Sequence, residues 1–160
     1  GFCSERFRQE RFRGAGIPAE SFIQDNFSRS AHKVLRGLHY QFDRPQGKML
    51  TVLTGRIYDV VVDIRKDSKT YGKSLGVELS GDQPSWFWVP PGFAHGFVVL
   101  SPEGADVIYK VTAGYNPSGE GGILWNDPQV VGNWPIKDPS LSPRDEKLLS
   151  WNEYQKQPRF

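Results

Sequence analysis

The chain has 160 residues, with 20 Lys and Arg against 18 Asp and Glu and a formal net charge of +2, a length that fits one domain with one real hydrophobic core. So even a balance gives no support to a nucleic-acid partner, no apolar run approaches the roughly 18 residues of a membrane span, and the single Cys3 builds neither a disulfide framework nor a zinc site. With 17 Gly, 12 Pro and 13% aromatic residues, the composition suits many short strands and tight turns in a reduced, cytoplasmic protein.

The sequence opens at Gly1-Phe2 with no Met and no signal-peptide pattern, which points to a further segment upstream. Residues 4–13 (SERFRQERFR) interleave charge with Phe7 and Phe12 and read as a solvated turn or short helix. From Phe22 onward, apolar runs alternate with turn signals. The predicted strands are Val34–Tyr40, Lys48–Leu53, Ile57–Ile64, Ser74–Leu79, Ser85–Val89, Gly96–Leu100 and Asp106–Val111. Between them stand Pro45-Gln46-Gly47, Thr54-Gly55, Lys66–Thr70, Gly81-Asp82, Pro90-Pro91-Gly92 and Pro102–Gly104. Seven strands at this spacing, without long helical periodicity, predict an all-β sandwich or barrel in one domain over residues 1–160. Ser142-Pro143-Arg144-Asp145 reads as a helix start, with Ser142 as N-cap and Leu148, Leu149 and Trp151 on the helix.

A hairpin through Thr54-Gly55 would set Leu53 opposite Arg56. Lys48, Leu50 and Val52 would then share a face with Ile57, Asp59 and Val61, making Lys48 and Asp59 diagonal neighbours. An Asp inside Tyr-Asp-Val-Val-Val-Asp is costly to bury unpaired. That face is therefore either solvent-facing or the lining of a polar pocket. The opposite face, with Met49, Leu53, Tyr58, Val60 and Val62, is apolar.

Of three histidines, His32 lies in a polar stretch and reads as exposed and idle. His39 and His95 lie in apolar strands, where a lone His is usually a satisfied core residue. Two of them in one small barrel, near Arg36 and Lys48 in sequence, tip the reading toward a site. Arg36 and His39 have odd spacing, and Gly37 between them permits a bulge that re-aims one of the two. A metal-binding barrel of this size needs a His-x-His pair and a following Glu; the position two after His39 is Gln41, so no metal ligand set is expected. Nucleophile elbows, phosphate loops and dinucleotide fingerprints are also missing from the sequence. Acid–base chemistry remains, with His39 as base, Lys48 as the cation for developing negative charge, Tyr58 or Tyr109 as acid, and an Asp or Glu, not singled out by spacing, to orient the imidazole.

The blocks QDNFSRS, VLRGLHYQ, QGKMLTVLTGRIYDVVVDIRKDS, WVPPGFAHGFVVL, YKVTAGYNPSGEGGILWNDP and LSPRD follow one another in order. Together they resemble the dTDP-4-dehydrorhamnose 3,5-epimerase family over about residues 20–147. The resemblance implies a cupin-like jelly roll with a short C-terminal helical segment. It also implies a homodimer, no metal or cofactor, and no nucleic-acid or membrane partner. The implied reaction inverts C3 and C5 of dTDP-4-dehydro-6-deoxy-D-glucose to give dTDP-4-dehydro-L-rhamnose. By the same resemblance His39 matches the base, Asp145 its partner, Tyr109 the acid and Lys48 the enolate-stabilising lysine. Arg36, His95, Glu120, Arg144, Gln24, Asp25, Asn26 and Glu5 match substrate-contacting positions; Arg144 stands where a Lys is common. The family's upstream segment, with an acidic-Arg-Gly motif that contributes an Arg to substrate phosphate binding, is not in this sequence, which implies either a further segment upstream, the favoured expectation, or a crippled nucleotide site. Alternative readings are an epimerase acting at one centre of a related deoxysugar, a non-catalytic sugar-nucleotide-binding cupin, and a metal-dependent cupin oxygenase.

Overall fold

Two antiparallel sheets face each other, and the side chains that alternate inward from both make the interior. The computed structural model describes residue 1 and residues 3–160. After a short exposed helix, α1 (Gln9–Gly14), come β1 (Gln24–Ser30), β2 (Leu35–Gln41), β3 (Lys48–Thr54), β4 (Arg56–Asp63), β5 (Ser74–Ser80), β6 (Phe87–Val89), β7 (Phe93–Val99), β8 (Ala105–Val111) and β9 (Glu120–Gly122), then α2 (Trp151–Lys156). The smaller sheet runs β1-β8-β3-β6 and the larger β5-β4-β7-β2-β9. This is the all-β, cupin-like jelly roll with a short C-terminal helix that the sequence led us to expect.

All seven expected strands are present, with ends shifted by up to three residues. Two more, β1 and β9, carry no apolar signal. The polar β1 becomes a strand because all seven of its residues pair with β8, from Gln24 opposite Val111 to Ser30 opposite Ala105. The expected hairpin does not form. Lys48 and Leu50 pair with Val111 and Tyr109 on β8, whereas β4 pairs with β5 and β7 in the other sheet. Gly55, at φ +76° and with Gly104 O only 2.2 Å from where a Cβ would lie, is the corner at which the chain leaves one sheet for the other. Thr54 has no positive φ, so the pair lacks the two left-handed residues of a tight type I′ turn. The face assignment survives for a different reason: Leu50, Val52, Ile57 and Val61 pack in one cluster between the sheets with Phe97, Val99 and Val107.

The opposite face of the larger sheet is also covered. Leu38, Tyr40, Val60, Val62 and Ala94 meet Ile123, Val130, Val131, Trp151 and Tyr154 of the C-terminal segment. Burial on both faces explains the nearly unbroken apolar run of β4. The expected helix from Ser142 is a correction. Ser142 Oγ does accept the Asp145 amide at 3.1 Å, but only a 3-10 turn forms over Asp145–Lys147, and Leu148 is extended. The helix starts again at Trp151 because Ser150 and Glu153 form a capping box there. Asp127 accepts the Trp151 amide at 2.7 Å, and Tyr154 OH donates to Ile64 O at 2.8 Å. These bonds tie the segment down on the sheet.

The β2–β7 pairing shifts register between Arg36 and His39, as Gly37 permits. Gly37 sits at φ +122°, and a Cβ there would lie 2.6 Å from Gly96 Cα. We expect Gly37→Ala to destabilise the fold by more than about 1 kcal/mol and to disturb the backbone at His39; chemical denaturation and amide shifts of β2 and β7 read both. Trp151→Ala should cost about 3–5 kcal/mol in urea unfolding. A loss near zero would mean that the C-terminal cover is not part of the core.

Candidate active site

A cavity of about 290 Å³ opens between the two sheets. The larger sheet contributes Arg36 and His39 from β2 and His95, Gly96 and Phe97 from β7; the smaller contributes Ser28, Lys48, Leu50, Val107 and Tyr109. Ser142, Arg144 and Asp145 of the C-terminal segment close one side. The odd spacing of Arg36 and His39 would separate them on a flat strand. The register shift between them brings both to the cavity.

His39 Nε2 lies 2.6 Å from Asp145 Oδ1, across 106 residues of sequence. The carboxylate is nearly enclosed, with 4% of its side chain exposed, while the imidazole keeps 23%. Burial pushes the Asp145 carboxyl up, but hydrogen bonds from His39, Ser142 and the Gly37 amide outweigh it and hold the group below its ordinary 3.8. Asp145 is therefore ionised at neutral pH and accepts the proton on His39 Nε2. That leaves Nδ1 as the nitrogen able to take a proton.

Tyr109 and Lys48 stand on the opposite wall. Burial pushes the Tyr109 phenol above its ordinary 10.0, so it stays protonated. Enclosure between the sheets pushes Lys48 below its ordinary 10.5, with Glu120 and Asp59 pulling the other way. His39 and His95 are directly paired across β2 and β7, and His95 Nε2 meets both oxygens of Asp59, at 3.0 and 2.8 Å. Arg144 is paired with Glu120 at 2.7 Å, and Arg36 Nε donates to Ser30 Oγ at 2.9 Å.

Not every expected residue comes to the cavity. Gln24 and Asn26 hydrogen-bond each other at 2.8 Å on the edge strand β1, outside the cavity lining. Asp25 alternates to the other face of β1 and pairs with Lys110 at 2.9 Å. Glu5 pairs with Arg8 and Arg11 on the N-terminal segment, beside a separate cavity lined by Arg6, Thr51 and Trp86. Tyr58, one of two tyrosines considered as acid, is on the outer face against Trp134, which leaves Tyr109. His32 is exposed, as expected. Sequence reasoning missed Ser28, Phe97 and Ser142 as lining residues. Only the alternation of β1 and β7 pointed to the first two, and β1 itself carried no strand signal.

Comparison with known proteins shows the family. The sequence profile described as dTDP-4-dehydrorhamnose 3,5-epimerase matches residues 1–153. A dTDP-4-dehydrorhamnose 3,5-epimerase of Pseudomonas aeruginosa is 47% identical over 148 residues, covering 92% of this chain and 81% of the relative. One of Neisseria gonorrhoeae is 44% identical over 157 residues, and there the match covers 98% of this chain but 47% of the relative, so the chain spans about half of that protein's length. A crystal structure of dTDP-6-deoxy-D-glucose-3,5-epimerase from Legionella pneumophila, in complex with dTDP-4-keto-L-rhamnose, superposes with a TM-score of 0.92 at 46% identity, covering 100% of this chain and 86% of that one. A histidine–aspartate pair and a tyrosine facing each other across a jelly roll, in a sequence this close to those relatives, place the chain in the dTDP-4-dehydrorhamnose 3,5-epimerase family.

Proposed function

We propose that the chain epimerises C3 and C5 of dTDP-4-dehydro-6-deoxy-D-glucose, giving dTDP-4-dehydro-L-rhamnose without a metal. The observation that carries this reading is the placement of a base and an acid on facing sheets. His39 comes from the larger sheet and Tyr109 from the smaller, with the cavity between them. Inversion of a carbon needs a proton removed from one face and returned to the other, so acid and base must flank the ring.

C3 and C5 both neighbour the C4 ketone, which acidifies their protons. His39 Nδ1 takes the proton and becomes an imidazolium, which Asp145 stabilises. The electron pair moves into the C4 carbonyl as an enolate, and the Lys48 ammonium offsets the charge on oxygen. Tyr109 then gives its phenolic proton to the opposite face of the carbon. Proton exchange with water resets both groups, and the same cycle serves the second centre. Arg36 and Arg144 supply cationic charge for the pyrophosphate, while His95 and Glu120 contact the remaining parts of the nucleotide sugar. The protein acts in the cytoplasm as a homodimer; exposed Ile23 and Phe27 beside and on the edge strand β1 support a second copy there. Among the described residues no helix is long and apolar enough to cross a membrane.

The direct test is incubation with dTDP-4-dehydro-6-deoxy-D-glucose in deuterated water, followed by NMR at C3 and C5. We expect deuterium at both carbons with inversion, and a loss of about 10²–10⁴-fold in His39→Ala with nucleotide binding retained. Exchange at C3 alone would move the protein to single-centre epimerases. No exchange despite binding would leave a sugar-nucleotide-binding protein.

The pH profile offers a second test. The ammonium is the low-pH form of Lys48, so the rate should fall as pH rises through its lowered pKa. That alkaline limb should lie below the ordinary lysine value of 10.5. Tyr109 also works in its protonated form, but burial shifts it the other way, upward from 10.0. Lys48→Arg, whose guanidinium stays charged, should move the limb upward even if the rate is lower. An unmoved limb would assign it to another group.

A further inference from the structure

Asp59 is a carboxylate on the inner wall to which the proposed reaction gives no part. It is fully enclosed, at 0% exposure, among Ile57, Val61 and Phe97. An apolar residue would fit this environment without desolvating a charge, and a buried ion pair is a poor device for stability alone. Its contacts point elsewhere. Both carboxylate oxygens lie on one ring nitrogen, His95 Nε2, at 3.0 and 2.8 Å. Burial pushes the Asp59 carboxyl above its ordinary 3.8, and His95 and the Lys48 ammonium across the gap, which favour the ionised form, offset that only in part.

A carboxylate that accepts from Nε2–H selects one tautomer of a neutral imidazole and one orientation of the ring. The nitrogen left over is Nδ1. His95 lines the cavity and is the direct cross-strand partner of His39, so the direction of its ring determines what the wall beside the base offers to a bound sugar.

We propose that Asp59 is a positioning residue: it holds His95 with Nε2 protonated and Nδ1 turned to the bound sugar as a hydrogen-bond acceptor for a hydroxyl. This rests on the epimerase reading above, because it takes a nucleotide sugar as the occupant of the cavity. It adds a second carboxylate–histidine pair to the site. The pair on β4 and β7 orients substrate, while His39 and Asp145 move the proton.

The experiment uses the whole chain labelled with ¹⁵N-histidine. Long-range ¹H–¹⁵N spectra report the tautomer of each neutral imidazole, with His95→Ala assigning its signals. In the wild type we expect His95 to be protonated at Nε2. In Asp59→Asn, whose amide can donate to that nitrogen, we expect a mixture or the reverse tautomer. Deuterium incorporation should fall by on the order of 10²-fold or more, in kcat, while the dissociation constant for dTDP stays within about 3-fold. Loss in Asp59→Asn/His95→Ala should not exceed that in His95→Ala, because Asp59 acts through the ring. An Nδ1-protonated His95 in the wild type, an unchanged tautomer and rate in Asp59→Asn, or additive losses in the double variant would each overturn the proposal. Should Asp59→Asn not fold, the wild-type tautomer still decides. A wild-type protein that incorporates no deuterium defeats the reaction assignment, and the tautomer measurement then judges Asp59 independently.

Discussion

The apolar seal that Trp151, Tyr154, Val130 and Val131 make over the outer face of the larger sheet is the contact on which the rest of the molecule depends. A sheet that buries one face against a well-packed cover draws stability from that face. Its other face can then hold groups that weaken a core, and here it holds His39, His95 and Asp59. The same cover also serves the site directly. The segment that brings Trp151 and Tyr154 to the sheet carries Asp145 just ahead of them, and the 3-10 turn begun at Ser142 sets that carboxylate on His39. Stability and site geometry thus meet in one stretch of chain, and damage to the seal would reach His39 through Asp145.

Within the cavity, charge is arranged by wall. The larger sheet carries both imidazoles, each with its nitrogen on a carboxylate, at 2.6 Å for His39 and 2.8 Å for His95. The smaller sheet carries the ammonium of Lys48 and the phenol of Tyr109. Burial acts on Tyr109, Lys48 and Asp145 in directions that differ with the charge of each. It raises Tyr109 and so keeps it a proton donor. It lowers Lys48, so the ammonium depends on the carboxylates of Asp59 and Glu120. Asp145 resists burial only because three donors reach it. The proposed chemistry at a carbon beside a ketone calls for such an arrangement: a base and an acid on opposite sides and a cation for the enolate oxygen.

Several features were legible in the residues. Alternating apolar runs between Gly and Pro breakers located seven strands. Asp59 within Tyr58–Asp63 signalled a polar face because a lone buried carboxylate is costly. The odd spacing of Arg36 and His39 around Gly37 signalled a bulge. His39, Lys48 and Tyr109, singled out from chemistry together with resemblance to a known family, line one cavity. Other features were not legible. The polar strand β1 has no period of its own and exists because β8 supplies its partners. Leu148 and Leu149 looked like a continuation of the turn at Asp145, yet Ser150 starts a new helix.

By itself, the sequence determined seven of the strands and which of their residues alternate inward, and it supplied the candidate reactive groups, since these follow from propensity, alternation and side-chain chemistry acting over a few residues. Tertiary structure alone decided which strands share a sheet. Thr54-Gly55 reads as a hairpin in the sequence, but the chain turns a corner between the sheets there. Packing of two apolar inner faces favours the corner, and so Lys48 faces Asp59 across a cavity instead of lying beside it. Tertiary structure also chose Asp145 for His39, Asp59 for His95 and Tyr109 over Tyr58. Each of those choices joins residues 36 or more positions apart or depends on which face of a sheet is covered, and neither is encoded in local spacing.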